Sequence, residues 1–225
     1  MRGAGTIFLC VPMQAMERVL REVADCAGPQ TIVTDTGSVK LPVVEMARRI
    51  LRFPSRFVGG HPMAGSEKSG SSFSSPSIFR GRMCVLTPVS GTDSAAVSAV
   101  AGLWGKTGAK VVRMSPRRHD EAVAKVSHLP HAVAAALVLN VQKDRGAQGL
   151  VSGGFLDGTR VSLGDPYLWE GIFHGNRKEI ISALAGFERN VGLIRSAIAS
   201  RRGARLRALL ARARATRAGI RRMGE

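Results

Sequence analysis

A histidine in a glycine-rich segment is the first candidate for proton chemistry. His61 lies between Gly60 and Pro62, directly after the apolar stretch 57–60, and small residues follow it. A histidine at the end of a strand, held by a glycine and a proline, can exchange a proton with a bound ligand near neutral pH. A purely structural histidine is the alternative interpretation.

Two further histidines stand close together in the sequence. His128 and His131 are three residues apart and would share one face of a helix, a spacing that can hold a metal ion. No carboxylate stands nearby at a clear ligand spacing, and Pro130 must kink or interrupt the helix. We therefore predict no metal site here.

An arginine in a glycine-rich stretch is the candidate for binding an acid. Arg160 lies within the stretch 153–164, which is rich in glycine. A guanidinium is the side chain best shaped to bind a carboxylate through two hydrogen bonds. The alternative is an arginine that is simply solvated.

The elements that would position these residues alternate in type up to residue 113. Continuous apolar runs predict strands, and a period of 3.6 residues predicts helices. Strands are expected at 6–11, 31–34, 57–60, 83–88 and 110–113, and helices at 13–27, 41–51 and 92–107. This alternation predicts an α/β domain with a mainly parallel sheet. Ligands of such sheets bind at the carboxyl ends of the strands, where His61 and the polar loop 35–40 lie.

The pattern becomes helical after residue 113. Ser115 and Pro116 are typical of the N-cap and the first residue of a helix, and almost no strand signal follows them. The sequence therefore predicts an α/β domain at 1–113 followed by an all-α domain at 114–225. Two loops are expected, a glycine-rich one at 143–161 and a serine-rich one at 69–77.

The chain is strongly basic, with 33 Lys and Arg against 16 Asp and Glu and a formal net charge of +17. Ten arginines fall within the tail 195–225, which has no aromatic residue to stack on nucleic-acid bases. We expect a terminal helix that packs on the body through an apolar stripe and exposes its arginines. Binding of nucleic acid or of another acidic partner is the alternative.

Composition narrows the class of protein. Hydrophobic residues make up 44% of the chain, and no apolar run approaches the roughly 18 residues of a membrane span. These features exclude a disordered chain and an integral membrane protein. The three cysteines contain no C-x-x-C, which predicts neither a disulfide framework nor a thiolate metal site. Pro12 ends the apolar run near the start and no signal-peptide cleavage site follows, so we expect a cytoplasmic protein.

Four of these segments, in this order, resemble the prephenate dehydrogenase family of tyrosine biosynthesis, which includes relatives that use arogenate. The matching stretches are 34–40, 57–70, 119–132 and 153–169. The resemblance implies that 1–113 is a partial nucleotide-binding, Rossmann-like domain. It implies that 114–225 is a helical domain that binds substrate and forms a homodimer, with the basic tail outside the resemblance.

The family catalyses an oxidative decarboxylation. Hydride leaves ring carbon C4 of prephenate for the nicotinamide of NAD or NADP, and carbon dioxide departs as the ring becomes aromatic. By resemblance, His61 accepts a hydrogen bond or proton from the C4 hydroxyl, which requires a neutral imidazole. Ser38 would orient that hydroxyl near the nicotinamide.

The resemblance assigns further binding residues. Arg160 would pair with a substrate carboxylate, and His128 would line the same pocket. Pro12, Asp35 and Gly37 would lie beside the cofactor. Leu156 and Gly158 stand where many relatives carry charged or polar side chains, which leaves the choice between prephenate and arogenate open.

One family feature does not occur in the sequence. The dinucleotide fingerprint G-x-G-x-x-G is absent, and Gly3 and Gly5 precede a strand with Phe8 at the place of the third glycine. The stretch 6–12 resembles the family's fourth strand and the loop after it, so about 60 to 70 residues of two crossover units are missing. We expect a start codon placed too late or a fragment, with a truly short chain as the alternative. The residue that selects NAD or NADP would lie in that part.

Two other functions stay open on the sequence alone. The first is a non-catalytic module of the same fold that dimerises or binds a dicarboxylate. The second is a basic protein that associates with nucleic acid through the tail 195–225.

Overall fold

The computed structural model describes residues 3–65, 75 and 77–220. The serine-rich loop expected at 69–77 therefore lies outside the described residues, except for Ser75 and Ser77. The end of the family-like stretch 57–70 lies outside them as well.

A five-stranded sheet forms the centre of the first half of the chain. Its strands are β1 Thr6–Leu9, β2 Ile32–Asp35, β3 Phe57–Pro62, β4 Met83–Thr87 and β5 Lys110–Arg113, in the order β1-β2-β3-β4-β5. The pairs β1/β2, β2/β3 and β4/β5 are parallel, whereas β3/β4 is antiparallel. The predicted α/β fold with a mainly parallel sheet is confirmed. The antiparallel pair has a local cause, because no helix is predicted between β3 and β4 and a parallel return needs a crossover helix.

Helices cover both faces of this sheet. They are α1 Met13–Ala24, α2 Leu41–Ile50 and α3 Ser94–Lys106, with a short 3-10 turn at Pro54–Arg56. Val33 and Phe57 join a core cluster with residues of α1 and α2, whereas their neighbours Ile32 and Val58 join a second cluster with α3. Successive strand residues therefore point into opposite cores, and β2 and β3 are buried throughout, as expected for the interior of a layered α/β sheet.

The second half is helical, as predicted. Its helices are α4 Pro116–Val123, α5 Leu129–Val141, α6 Arg145–Gly149, α7 Gly153–Thr159, α8 Pro166–Gly175, α9 Arg177–Ala199 and α10 Gly203–Gly219. A π-helical turn, Ala124–His128, joins α4 to α5, and a 3-10 turn, Arg160–Leu163, follows α7. The hydroxyl of Ser115 accepts a hydrogen bond from the Arg118 N–H, which confirms the predicted N-cap.

Two sequence interpretations of this half were wrong. The expected loop 143–161 is largely helical, because Asp144 caps α6 by accepting from the Ala147 N–H at 2.9 Å and a second short helix follows. The tail is helical in α10, but Gly203–Gly219 contains no buried side chain. Leu206 and Leu209 are half-buried and Leu210 is exposed, so the predicted apolar stripe is not buried.

Contacts group the chain into two compact units, Met1–Ile180 and Ile181–Glu225. Within the first unit, α4 packs against α2 and against β4. The packing therefore continues past residue 113 without a break. The functional division at residues 113 and 114 stays a prediction.

The helical stretch Pro116–Val141 is long and apolar enough to cross a membrane by length and composition, the one such helix in the described part of the chain. This stretch is not a continuous apolar run, because Lys125, His128 and His131 interrupt it. The core helix of a water-soluble protein meets the same criterion, and this stretch carries the buried polar residues His119 and Asp120.

The close approach of β2 and β3 gives a stability test. We expect Gly60→Ala to lower the free energy of unfolding by roughly 1 to 3 kcal/mol, because a Cβ at this position would lie 2.7 Å from the backbone oxygen of Asp35. The matched control is Gly102→Ala in α3, where a Cβ meets no atom within 4 Å. That variant should keep or raise stability, by up to about 1 kcal/mol. Urea unfolding measures both, and an unchanged midpoint for Gly60→Ala would contradict this packing.

Candidate active site

Three side chains form a hydrogen-bonded chain at the end of β3. The Nδ1 atom of His61 lies 2.8 Å from the Nε2 atom of His119, and the Nδ1 atom of His119 lies 2.7 Å from Oδ1 of Asp120. His61 is 9% exposed, and the other two side chains are buried more completely. The structure thus links His61, which lies in β3, to α4, the first helix after the sheet.

The carboxylate of Asp120 also holds the start of α2. It accepts hydrogen bonds from the backbone N–H groups of Lys40 and Leu41, each at 2.8 Å. A helix N-terminus leaves such N–H groups without partners, and a carboxylate there is favoured by the helix dipole. Asp120 therefore caps α2 from a separate helix and fixes α4 against the sheet domain.

A buried ion pair supports the loop between β2 and α2. The ammonium of Lys40 pairs with the carboxylate of Asp35, and both side chains are inaccessible to solvent. Asp35 also accepts from the Gly37 N–H at 2.9 Å and from the Gly60 N–H at 3.0 Å. Because these donors belong to two different loop and strand segments, the pair sets the shape of the loop that carries Ser38.

An amide on the last residue before α9 positions His128. The side-chain nitrogen of Asn176 donates to the backbone oxygen of Asp120 at 2.9 Å and lies 3.2 Å from Nδ1 of His128. The Nδ1 atom of His128 is therefore the acceptor, which leaves Nε2 as the N–H of the neutral ring. Within the described residues that buried Nε2 atom has no hydrogen-bond partner.

Aromatic rings stand beside His128. The ring of His131 stacks on Trp169, with ring centroids 3.5 Å apart and planes 15° apart. Trp169 meets the ring of His128 edge-on at 6.1 Å, and Phe173 packs against both His131 and Trp169. This wall is apolar on its faces and offers imidazole nitrogens at its edges, which suits a flat ring with polar substituents.

Burial favours the neutral form of two site histidines, His61 and His128. It lowers the pKa of His61 well below the usual value, and the imidazole of His119 and the ammonium of Lys40 act in the same direction. Burial also lowers the pKa of His128 to about 4, against a smaller opposing effect of Asp120. A neutral ring has one nitrogen that donates and one that accepts, so this site can offer both without a net charge on either imidazole.

The remaining predicted residues lie in three places. Ser38 and Gly37 are half-buried in the loop after β2, and Pro12 is the half-buried N-cap of α1. Asp35 is fully buried, and both of its carboxylate oxygens bond within the protein. Arg160 is exposed at the first residue of its 3-10 turn, and this turn packs against α5. The roles of these residues stay predictions.

Sequence reasoning missed the residues that join the site together. His119 and Asp120 were noted only as part of a family-like stretch, and neither Asn176 nor Trp169 was assigned a role. A lysine in a loop that is otherwise built of small residues was a signal for the buried pair with Asp35. Nothing in the local pattern signals a contact such as that between Asp120 and Lys40, which are 80 positions apart.

Comparisons with known proteins agree with this architecture. The family model "Prephenate dehydrogenase, nucleotide-binding domain" matches residues 1–113, and "Prephenate dehydrogenase, dimerization domain" matches residues 115–212. The chain is 35% identical to prephenate dehydrogenase of Bacillus subtilis (strain 168), over 87% of the chain and 54% of that protein. It is 34% identical to cyclohexadienyl dehydrogenase of Zymomonas mobilis, over 90% of the chain and 70% of that protein.

A solved structure is similar in three dimensions. Prephenate dehydrogenase from A. aeolicus, in complex with hydroxyphenyl propionate and NAD+, matches with a TM-score of 0.89 and 33% sequence identity. The match covers 96% of this chain and 77% of that one. The chain spans about half the length of the Bacillus subtilis relative. With both family models matched in order across this fold, the chain belongs to the prephenate dehydrogenase family.

Proposed function

We propose that this chain acts in the oxidative decarboxylation of prephenate to 4-hydroxyphenylpyruvate, with NAD or NADP as the hydride acceptor, in tyrosine biosynthesis. Arogenate is the alternative substrate. The observation that carries the proposal is the nearly buried imidazole of His61 at the end of β3, hydrogen-bonded to His119. Burial lowers its pKa well below the usual value, which favours the neutral ring. A neutral imidazole can accept the hydrogen of a substrate hydroxyl, whereas an imidazolium cannot.

The loops after β1 and β2 suit one end of a nicotinamide cofactor. Leu9 and Asp35 end neighbouring parallel strands, so the loops with Pro12 and Gly37 lie at one sheet edge, where ligands of α/β sheets bind. Helix α1 starts after Pro12 without a side-chain cap, which leaves N–H groups for a ligand. The sequence contains no G-x-G-x-x-G, so these residues fit only part of a dinucleotide.

Each assigned residue has a defined task in this proposal. When bound, the nicotinamide supplies the acceptor for the hydride that leaves C4. His61 accepts a hydrogen bond from the C4 hydroxyl and so stabilises the positive charge that develops at that carbon. Ser38 orients the hydroxyl, and Asp35 acts from inside the protein by fixing the loop that carries Ser38. The leaving carboxylate becomes carbon dioxide, and its bonding electrons complete the aromatic ring.

The acid groups of the substrate need donors. We assign one carboxylate to Arg160, whose guanidinium can bind it through two hydrogen bonds. His128 offers its buried Nε2–H, which has no partner within the described residues. A buried donor without a partner costs about 1–3 kcal/mol, so a substrate oxygen that accepts from it recovers this energy. The ring of the substrate would lie against the wall formed by Trp169 and His131.

The same proposal includes assembly and location. We expect a homodimer through the segment that matches the dimerization model, where α5 exposes Leu137, Val138 and Leu139. Apolar surface of this kind is typical of subunit interfaces. We also expect a cytoplasmic enzyme without a membrane partner. A nucleic-acid function is the less favoured one, because no described feature besides the charge of the tail supports it.

Turnover of prephenate tests the assignment of His61. We expect NAD(P)-dependent formation of 4-hydroxyphenylpyruvate and a fall in kcat by about two to four orders of magnitude in His61→Asn. His174→Asn is the matched control, since His174 is exposed on α8 and should leave the rate unchanged. Circular dichroism checks that both variants fold. Full activity of His61→Asn would remove His61 from the reaction. A chain that neither turns over prephenate nor binds hydroxyphenyl propionate would contradict the proposed function.

The role of Arg160 is tested through the Michaelis constant. We expect Arg160→Ala to raise KM for prephenate by at least about tenfold with a smaller change in kcat, because a charge-assisted carboxylate bond is lost. Arg160→Lys should recover only part of this, since an ammonium lacks the planar fork. Arg145→Ala, at an exposed arginine of α6, is the control. An unchanged KM in Arg160→Ala would exclude this role.

The lowered pKa of His61 sets the pH dependence. The imidazole is neutral above its pKa, so activity should be full at neutral pH and fall only as the pH drops well below 6.5, the usual value. The acid limb of kcat/KM against pH measures this. A limb at or above 6.5 would contradict a neutral His61 held by burial. The residual activity of His61→Asn should lack this limb.

A further inference from the structure

The hydrogen-bond chain from Asp120 to His61 has a defined direction. A carboxylate only accepts hydrogen bonds, and Asp120 already accepts from two backbone N–H groups, so the contact with His119 Nδ1 is made by an Nδ1–H donor. In the neutral form of His119 this donor takes the one ring hydrogen, so Nε2 is the acceptor. In that form the 2.8 Å contact between His119 Nε2 and His61 Nδ1 is made by an Nδ1–H of His61.

We propose that Asp120 and His119 are positioning residues that hold His61 in the tautomer with hydrogen on Nδ1 and an unprotonated Nε2. An isolated neutral histidine prefers the opposite tautomer, with the hydrogen on Nε2. The protein thus selects the less common form, because the partner of one ring nitrogen decides the state of the other. The catalytic meaning of this selection rests on the proposed function, whereas the tautomer itself does not.

The selection matters for the direction of hydrogen bonding. With Nε2 bare, His61 accepts from a substrate hydroxyl and stabilises charge as hydride leaves. With hydrogen on Nε2, the same ring would donate to the hydroxyl oxygen and oppose that charge. Burial of His119, 1% exposed, and of Asp120, 3% exposed, excludes water that could otherwise accept from or donate to the ring nitrogens.

The structure also explains why Asp120 is held so firmly. Its carboxylate caps α2 through Lys40 and Leu41, and its backbone oxygen accepts from Asn176. The side chain therefore cannot turn away from His119 without breaking the cap. The group that sets the tautomer is part of the packing between α2 and α4 and does not depend on the substrate being bound.

Nitrogen-15 NMR of the histidine rings, recorded without substrate, tests the proposal directly. In the parent chain we expect the Nε2 signal of His61 at the shift of an unprotonated ring nitrogen. His119→Gln should preserve it, because the amide oxygen can accept from Nδ1–H of His61. His119→Leu removes the acceptor and should move the population toward Nε2–H. A protonated Nε2 in the parent, or no change in His119→Leu, would overturn the proposal.

Kinetics supply a second readout. We expect His119→Leu to lower kcat for prephenate at least about tenfold with little change in KM, and His119→Gln to restore it to within a few-fold. Asp120→Asn should act like His119→Leu, because an amide can donate to Nδ1 of His119 and reverse the chain of bonds. Asp120→Asn also weakens the cap of α2. Asp144→Asn is the control for this effect, because it weakens the cap of α6 without touching the hydrogen bonds between Asp120, His119 and His61. Equal rates in the two His119 variants would overturn the role.

The two readouts separate the proposals. The expected tautomer with no turnover of prephenate in any variant contradicts the proposed function and leaves the tautomer selection standing. Turnover that depends on His61, together with a protonated Nε2 in the parent, supports the proposed function and contradicts the tautomer selection.

Discussion

The carboxylate of Asp120 is the group on which the arrangement of the site depends. It closes the N-terminus of α2 through the N–H groups of Lys40 and Leu41 and bonds the ring of His119. The N–H groups at the start of a helix need such acceptors. Because the acceptor for α2 comes from α4, the stability of α2 depends on the position of α4. The loop with Ser38, which ends where α2 begins, and the imidazole of His61 are thereby fixed by one side chain. A displacement of α4 would disturb the loop and the imidazole together.

A second constraint is that the site holds charged and polar groups that are buried. The pair of Lys40 and Asp35 is inaccessible to solvent, and such a pair is stable only when hydrogen bonds satisfy its remaining atoms. Asp35 meets this condition with the N–H groups of Gly37 and Gly60. The ammonium of Lys40 then contributes, with burial, to keeping His61 neutral. The pair supports the loop, and its ammonium disfavours an imidazolium at His61.

The sequence predicted the fold because the relevant signals are local. Apolar runs identified the five strands, and the cap formed by Ser115 marked the change to helices. The sequence analysis did not specify the direction of β4, although the lack of a predicted helix before it favours an antiparallel pair. It also missed the helices within 143–161, because glycines are poor helix formers and obscured two short helices. His61 was found because glycine and proline mark its position at a strand end. His119 and Asp120 were not assigned, because their roles come from partners 58 and 80 positions away, and no periodicity records such pairs.

The two family segments meet inside this network. His61 and Lys40 belong to the residues matched by the nucleotide-binding model, whereas His119, Asp120 and His128 belong to those matched by the dimerization model. The hydrogen bonds between them cross the predicted division at residue 113. Neither segment by itself contains both the imidazole of His61 and the buried Nε2 of His128. These residues come together only when α4 is packed on the sheet domain. The packing between α2 and α4 therefore positions the site residues as well as stabilising the fold.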